Sequence, residues 1–246
     1  MMFGGRGEII ETGRGPIGED SVIWRERQVA TIFASLGCLY LPVTKAANTS
    51  IKTALIRADR IAEGNASDPE EDINPHAFDA AHVVPWDAAY DFTGPRFTFV
   101  RNPFARLFSC YRDKILPEPQ TRGTYINGVH AGLRRYKRMR AGMSFGEFAR
   151  VISRIPDRAA EIHFVSQRAF LVGPKGLRVD FVGRVERKAE HWPLVERIVG
   201  RSIPLPSLNV TGTGREHAYR EHYDGATRKL VERRYAADLA LLGYSF

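Results

Sequence analysis

Twice in this chain a short apolar run passes through a polar turn and straight into a helix-patterned stretch. The first case is "CLYLPVTKAANTSIKTAL" from Cys38, and the second is "FTFVRNPFARLFSCYRDKI" from Phe97. An apolar run bounded by Pro and polar residues reads as a buried strand. In the first segment Ile51, Ala54, Leu55, Ala58, Ile61 and Ala62 then recur at helical spacing until Gly64. In the second, Asn102 is placed to cap a helix and Pro103 to fill its first turn. Phe104, Leu107, Phe108, Tyr111 and Ile115 form that helix's apolar stripe.

The same alternation continues. "VDFVGRVE", Val179 to Glu186, predicts a third strand, followed by helices over Ala189–Val199 and about Asp224–Leu242. Ser144 and Glu147 form a capping box before another helix. Leu116 to Gly142 has no periodicity and is dominated by charge, and "GNASDPEEDINP" from Gly64 is an acidic turn-rich loop. Alternating strands and helices predict an α/β domain with a mostly parallel sheet. Ligands of such sheets bind outside the carboxyl ends of the strands. That directs attention to the two strand-to-helix turns.

Length and composition narrow the setting. At 246 residues the chain suits one domain, expected over 25–246, with 1–24 a glycine-rich flexible lead-in. No run approaches the roughly 18 apolar residues of a membrane span, and the N-terminus carries no signal-peptide core. Cys38 and Cys110 lie in separate apolar runs and are expected as buried, reduced thiols. The formal charge of +8 suggests an anionic partner without selecting one.

"VTKAANTS" can cradle an anion. A helix starting near Thr49 offers unpaired N–H groups and the positive end of its dipole. Lys45 adds a cation, small Ala46 and Ala47 allow close approach, and Asn48, Thr49 and Ser50 add hydrogen-bonding side chains. The segment lacks the G-x-x-x-x-G-K-[ST] pattern of a triphosphate-binding loop. An ordinary capped helix beside a solvated lysine fits it equally well. At the second turn Arg101 leaves the strand end and Ser109 follows two helical turns on. Both could meet a second anionic group, or Arg101 could simply pair with a carboxylate.

Taken together, these two segments resemble the cofactor-binding segments of the carbohydrate sulfotransferases, of the Golgi and uronyl 2-O-sulfotransferase type. "RVDFVGRVE", "LPSLNVT" and the closing "YAADLALLGY" extend the resemblance over Cys38 to Phe246. It implies a P-loop-NTPase-like three-layer sandwich with helices on both faces of the sheet. It also implies in-line sulfuryl transfer from 3′-phosphoadenosine 5′-phosphosulfate to a carbohydrate hydroxyl, leaving adenosine 3′,5′-bisphosphate and requiring no metal. Lys45, Ala46, Ala47, Asn48, Thr49 and Ser50 would surround the 5′-phosphosulfate, with Lys45 also stabilising the leaving phosphate. Arg101 and Ser109 would hold the 3′-phosphate. The chain departs from the family pattern at Thr44, where Pro is common, and at Asn102, where an acid is usual.

The reaction needs a base for the acceptor hydroxyl. His82, in "FDAAHVVPWDAAY", resembles the histidine-bearing stretch of uronyl 2-O-sulfotransferases and is the expected base, with Asp79 or Asp87 as alternatives. His163 and Gln167, in "EIHFVSQ", resemble a family stretch near the acceptor and are expected to shape the site rather than do chemistry. The basic run "RRYKRMR", including Arg134, Arg135 and Lys137, could grip an acidic glycan or be a solvated surface. It has no interleaved aromatic platform, which disfavours nucleic acid. The alternatives are a nucleotide-dependent small-molecule kinase and a non-catalytic basic anion- or glycan-binding module. A soluble, bacterial-type cytoplasmic enzyme is expected, the alternative being a Golgi lumenal domain without its anchor. Oligomeric state is not legible.

Overall fold

The computed structural model describes residues 29–65, 73, 82–205 and 218–246. The expected lead-in, Asp79 and most of the acidic loop and of "LPSLNVT" lie outside the described residues.

Five strands form the central sheet: β1 (Val29–Phe33), β2 (Cys38–Tyr40), β3 (Val83–Pro85), β4 (Arg96–Val100) and, last in the chain, a strand at Phe181–Arg184. Two short hairpins precede that last strand: β5 (Tyr125–Ile126) with β6 (Val129–His130), and β7 (Val172–Gly173) with β8 (Gly176–Leu177). Phe181–Arg184 is therefore β9. The sheet order is β3-β1-β2-β4-β9. The β2–β4 and β4–β9 pairings are parallel, while β1 runs antiparallel to both β2 and β3. The three parallel strands are the three that the apolar runs predict. β1 and β3 add an antiparallel flank that those runs did not announce.

Helices α1 (Asn48–Ala62) and α2 (Pro103–Lys114) follow β2 and β4 directly. The expected caps of α2 are present: the Asn102 side chain accepts from the Phe104 N–H, and Pro103 opens the helix. α3 (Phe145–Ile152) begins on the Ser144–Glu147 capping box. The remaining helices are α4 (Gln167–Leu171), α5 (Lys188–Val199), α6 (Gly225–Arg234) and α7 (Ala236–Leu242). The single helix expected near Asp224–Leu242 is thus two, broken at Tyr235.

Strand alternation sorts the core into two. On one side Phe33, Cys38, Tyr40, Phe97 and Phe99 pack with Ile51, Ala54 and Leu55 of α1 and Trp192 and Val195 of α5. On the other, Ala30, Leu39, Leu41 and Val100 pack with Phe104, Leu107 and Phe108 of α2, Phe148 of α3 and Phe170 of α4. Fully burying one such aromatic side chain contributes about 2–3 kcal/mol. Gly183 of β9 is required by this packing, because a Cβ there would lie 2.6 Å from the Phe99 ring. Cys38 and Cys110 are free and buried, as expected. Burial pushes both thiols up to about 12, which makes them inert core residues.

Candidate active site

Parallel pairing places the carboxyl ends of β2, β4 and β9 on one edge of the sheet, so the segments after Tyr40, Val100 and Arg184 converge there. The turn after β2 has no glycine but still adopts left-handed backbone at Lys45 (φ 64°) and Ala47 (φ 58°). Each such residue costs about 1–2 kcal/mol in a side-chain-bearing position. Strain of that kind persists where surrounding structure enforces it, commonly at ligand sites. Ala47 is the N-cap of α1 and supplies no capping side chain. The first amides of α1 therefore face the turn without a side-chain acceptor from the cap. Among the described residues the buried Asn48 Oδ1 also has no hydrogen-bond partner, and rotating that amide would present its N–H groups instead.

The second expected segment meets this turn. Arg101 Nη1 donates to the Lys45 carbonyl at 3.4 Å. Among the described residues its guanidinium makes no ion pair. Burial pushes its pKa down, with Glu186 opposing. Ser109 is buried on α2, two turns beyond Arg101. Lys45 is paired with Asp113, near the C-terminal end of α2, and Asp113 also meets Lys114 at 3.1 Å. Burial raises the Asp113 carboxyl, but the two ammoniums outweigh it and hold it down at about 2. Asp113 and Lys114 belong to the quoted "YRDK", yet the sequence reading gave neither a role.

Both family departures acquire a function in this chain. The Thr44 hydroxyl donates to the Ile162 carbonyl at 2.6 Å, a bond proline cannot make. Arg106, almost fully buried, completes the joint. Its Nε donates to the Thr44 carbonyl at 2.8 Å, Nη1 to the Val165 carbonyl at 2.6 Å, and Nη2 to the Thr44 hydroxyl and the Ile162 carbonyl. Asn102 accepts from Phe104 and, through its amide N–H, donates to the Ser245 carbonyl at 2.8 Å. A carboxylate could not make that second bond. Glu186 accepts from the Asn102 N–H at 2.7 Å and from the Tyr244 hydroxyl at 2.8 Å. The C-terminal residues are thereby fastened to the strand end.

Segment 161–165, held by Thr44 and Arg106, brings His163 beside the Lys45 turn. His163 Nδ1 lies 2.8 Å from both Glu161 carboxylate oxygens, and Oε2 also accepts the His163 backbone N–H at 2.7 Å. Glu161 is 5% exposed, and a Cβ on Gly132 would lie 3.0 Å from its Oε1. Burial raises the Glu161 carboxyl, but the neighbouring His163, through its ring and its backbone N–H, outweighs this and holds it down at about 2. The His130 ring stands edge-on to His163 at 5.5 Å. Burial pushes the His163 pKa down and Glu161 opposes this, while the ammoniums of Lys114 and Lys45 push it down further.

One expected site residue, His82, is not brought here. His82 sits with Asp59 and Glu63, their potential ligand atoms all within 4.8 Å of one another. Asp59 is eleven residues beyond Asn48 on α1, about 16 Å along the helix axis. His82 is therefore at the far end of α1 from Lys45. Asp87 is bound to Arg178 at 2.9 Å. Gln167 is fully buried, and its side-chain amide is engaged with the backbone of Arg101. It accepts from the Arg101 N–H at 2.9 Å and donates to the Arg101 carbonyl at 2.7 Å. Arg134 and Arg135 follow the 3-10 turn Ala131–Leu133, in turns rather than a regular helix. Arg135 donates to the Tyr136 hydroxyl. Lys137 lines a groove of about 370 Å³ with Arg138, Arg140, Arg150 and Arg154.

Fold and site define an α/β protein that gathers cationic groups and helix amides at the carboxyl ends of its parallel strands. The chain belongs to the sulfotransferase family, whose sequence model matches residues 31–245. It is similar to proteins named Carbohydrate sulfotransferase 10 from Homo sapiens and Pongo abelii, with 26% identity over 166 residues. The corresponding Gallus gallus protein is 24% identical over the same length. The matched stretch covers 61% of this chain and 46% of each relative, so the chain spans about half their length. No solved structure matches significantly.

Proposed function

We propose that the protein transfers a sulfuryl group from 3′-phosphoadenosine 5′-phosphosulfate to a carbohydrate hydroxyl, on a P-loop-NTPase-like three-layer sandwich. The observation that carries this reading is the junction of the two strand-end turns, where Arg101 reaches the backbone of Lys45. The residues present fit such a cofactor. α1 starts without a side-chain cap, two left-handed residues shape the turn, and the Arg101 guanidinium has no ion-pair partner among the described residues.

When bound, the cofactor supplies the sulfuryl group and a phosphate leaving group. Ala46, Ala47, Asn48, Thr49 and Ser50 would hold its 5′ end through backbone and side-chain donors. Arg101 and Ser109 would hold the 3′-phosphate. Lys45 would exchange its pairing with Asp113 for the developing phosphate charge, a preorganised electrostatic contribution. The similarity to carbohydrate sulfotransferases supports a sugar acceptor. Its vertebrate members speak for the lumenal alternative over the bacterial cytoplasmic one. Among the described residues no helix is long and apolar enough to cross a membrane.

Thermal unfolding tests the reading. Adenosine 3′,5′-bisphosphate should raise Tm in the absence of metal, while ATP with magnesium should not. Stabilisation by ATP–magnesium alone would favour a kinase, and no response to either nucleotide would favour a non-catalytic module. An acceptor screen read by mass spectrometry then identifies the sugar.

A further inference from the structure

We propose that His163, oriented by Glu161, is the general base for the acceptor hydroxyl. This rests on the sulfuryl-transfer reading and deepens it.

Glu161 lies 2.8 Å from Nδ1, so a neutral His163 ring carries its proton on Nδ1 and keeps the Nε2 lone pair. A buried carboxylate that fixes one imidazole nitrogen leaves the other poised to accept a proton, and it stabilises the imidazolium that results. Thr44 and Arg106 fasten the 162–165 backbone to the residue preceding Lys45, so base and leaving-group cation share one rigid joint.

Competing groups are less suited. His130 Nδ1 already accepts the Gly132 N–H at 3.2 Å, and burial with Lys114 and His163 pushes its pKa to about 4. Glu161 is enclosed and already bound to His163. His82 is at the other end of α1. The charged and titratable groups acting on His163 are Glu161, His130, Lys114 and Lys45, with Asp113 bridging the two lysines.

In the step, the acceptor O–H breaks and its proton passes to Nε2. An O–S bond forms to the acceptor oxygen, and the S–O bond to the phosphate breaks with its electron pair on the phosphate. Electrons and atoms balance without a further reactant.

Three measurements on the full chain test this. His163→Ala should lower kcat by about 10²–10⁴-fold while adenosine 3′,5′-bisphosphate still binds by calorimetry. Near-wild-type kcat in that variant would overturn the proposal, as would abolished turnover in His82→Ala with His163→Ala unaffected. Glu161→Gln should reduce kcat more than it changes KM. It should also move the acid limb of the kcat profile to lower pH, because the carboxylate favours imidazolium. An unmoved limb would remove Glu161 as a positioning residue.

Nitrogen-15 NMR of the ligand-free protein reads the premise directly. His163 should be the Nδ1–H tautomer, and finding Nε2–H instead would refute the proposal even if His163→Ala fails to fold. Failure of the wild type to bind the bisphosphate or to modify any acceptor would sink the sulfuryl-transfer reading. The tautomer result stands apart from it.

Discussion

The two ends of α1 each hold a histidine near carboxylates, yet they differ in what surrounds them. At the start, His163 and Glu161 lie beside Lys45, Lys114 and Arg106, at the carboxyl ends of parallel strands. At the far end, His82 lies with Asp59 and Glu63 under the β1–β2 turn, where Asp59 accepts the Ser35 and Leu36 amides at 2.9 and 3.1 Å. The first end concentrates cations around helix amides and strained backbone, whereas the second uses its carboxylate to satisfy a turn. Even the carboxyl groups titrate oppositely. Asp113 is held down by two lysines despite its burial. Burial raises Asp59 in spite of its backbone donors and the nearby His82. A histidine–carboxylate cluster therefore signals chemistry only in its electrostatic setting.

Substitutions can break this contrast. The largest effect belongs to the first end. Lys45→Ala should lower turnover by about 10²–10³-fold with stability nearly kept, as expected for lost transition-state charge stabilisation. Wild-type turnover in steady-state assays would take Lys45 out of the mechanism. Arg106→Met should cost about 3 kcal/mol in denaturant unfolding, because it leaves buried carbonyls at Thr44, Ile162 and Val165 without this donor. An unchanged midpoint would show that the joint can repack. At the far end, Asp59→Ala should cost about 2 kcal/mol of stability by orphaning the two turn amides, with kcat unchanged below the unfolding temperature. A large kcat loss there would mean that both ends of α1 serve the reaction.

Much of the fold could be read locally. Asn102, Pro103, Ser144 and Glu147 act within one or two turns of their own helices, so their cap roles appear in sequence spacing. The three parallel strands appear because buried runs need no alternation. β3, Val83–Pro85, was not legible because its pairing with β1 is long-range. The candidate site was legible at Lys45 and Arg101, each next to a strand end. It was not legible at Glu161 or Arg106, whose partners depend on side-chain direction or lie far along the chain. The position of His82 was not legible either, because nearness in sequence to the Arg101 strand says nothing about which end of α1 it reaches.

By itself, the sequence determined the strand–turn–helix units, their caps and the cations they carry, since these depend on contacts within a few residues. Only the tertiary structure decided which of two histidines shares an edge with Lys45, and why Thr44 and Asn102 stand where they do. Thr44 binds Ile162 across 118 residues and Asn102 binds Ser245 across 143. Bonds that close loops of that length leave no local pattern. They form because parallel pairing has already brought the strand ends together, and buried polar groups must then find partners there.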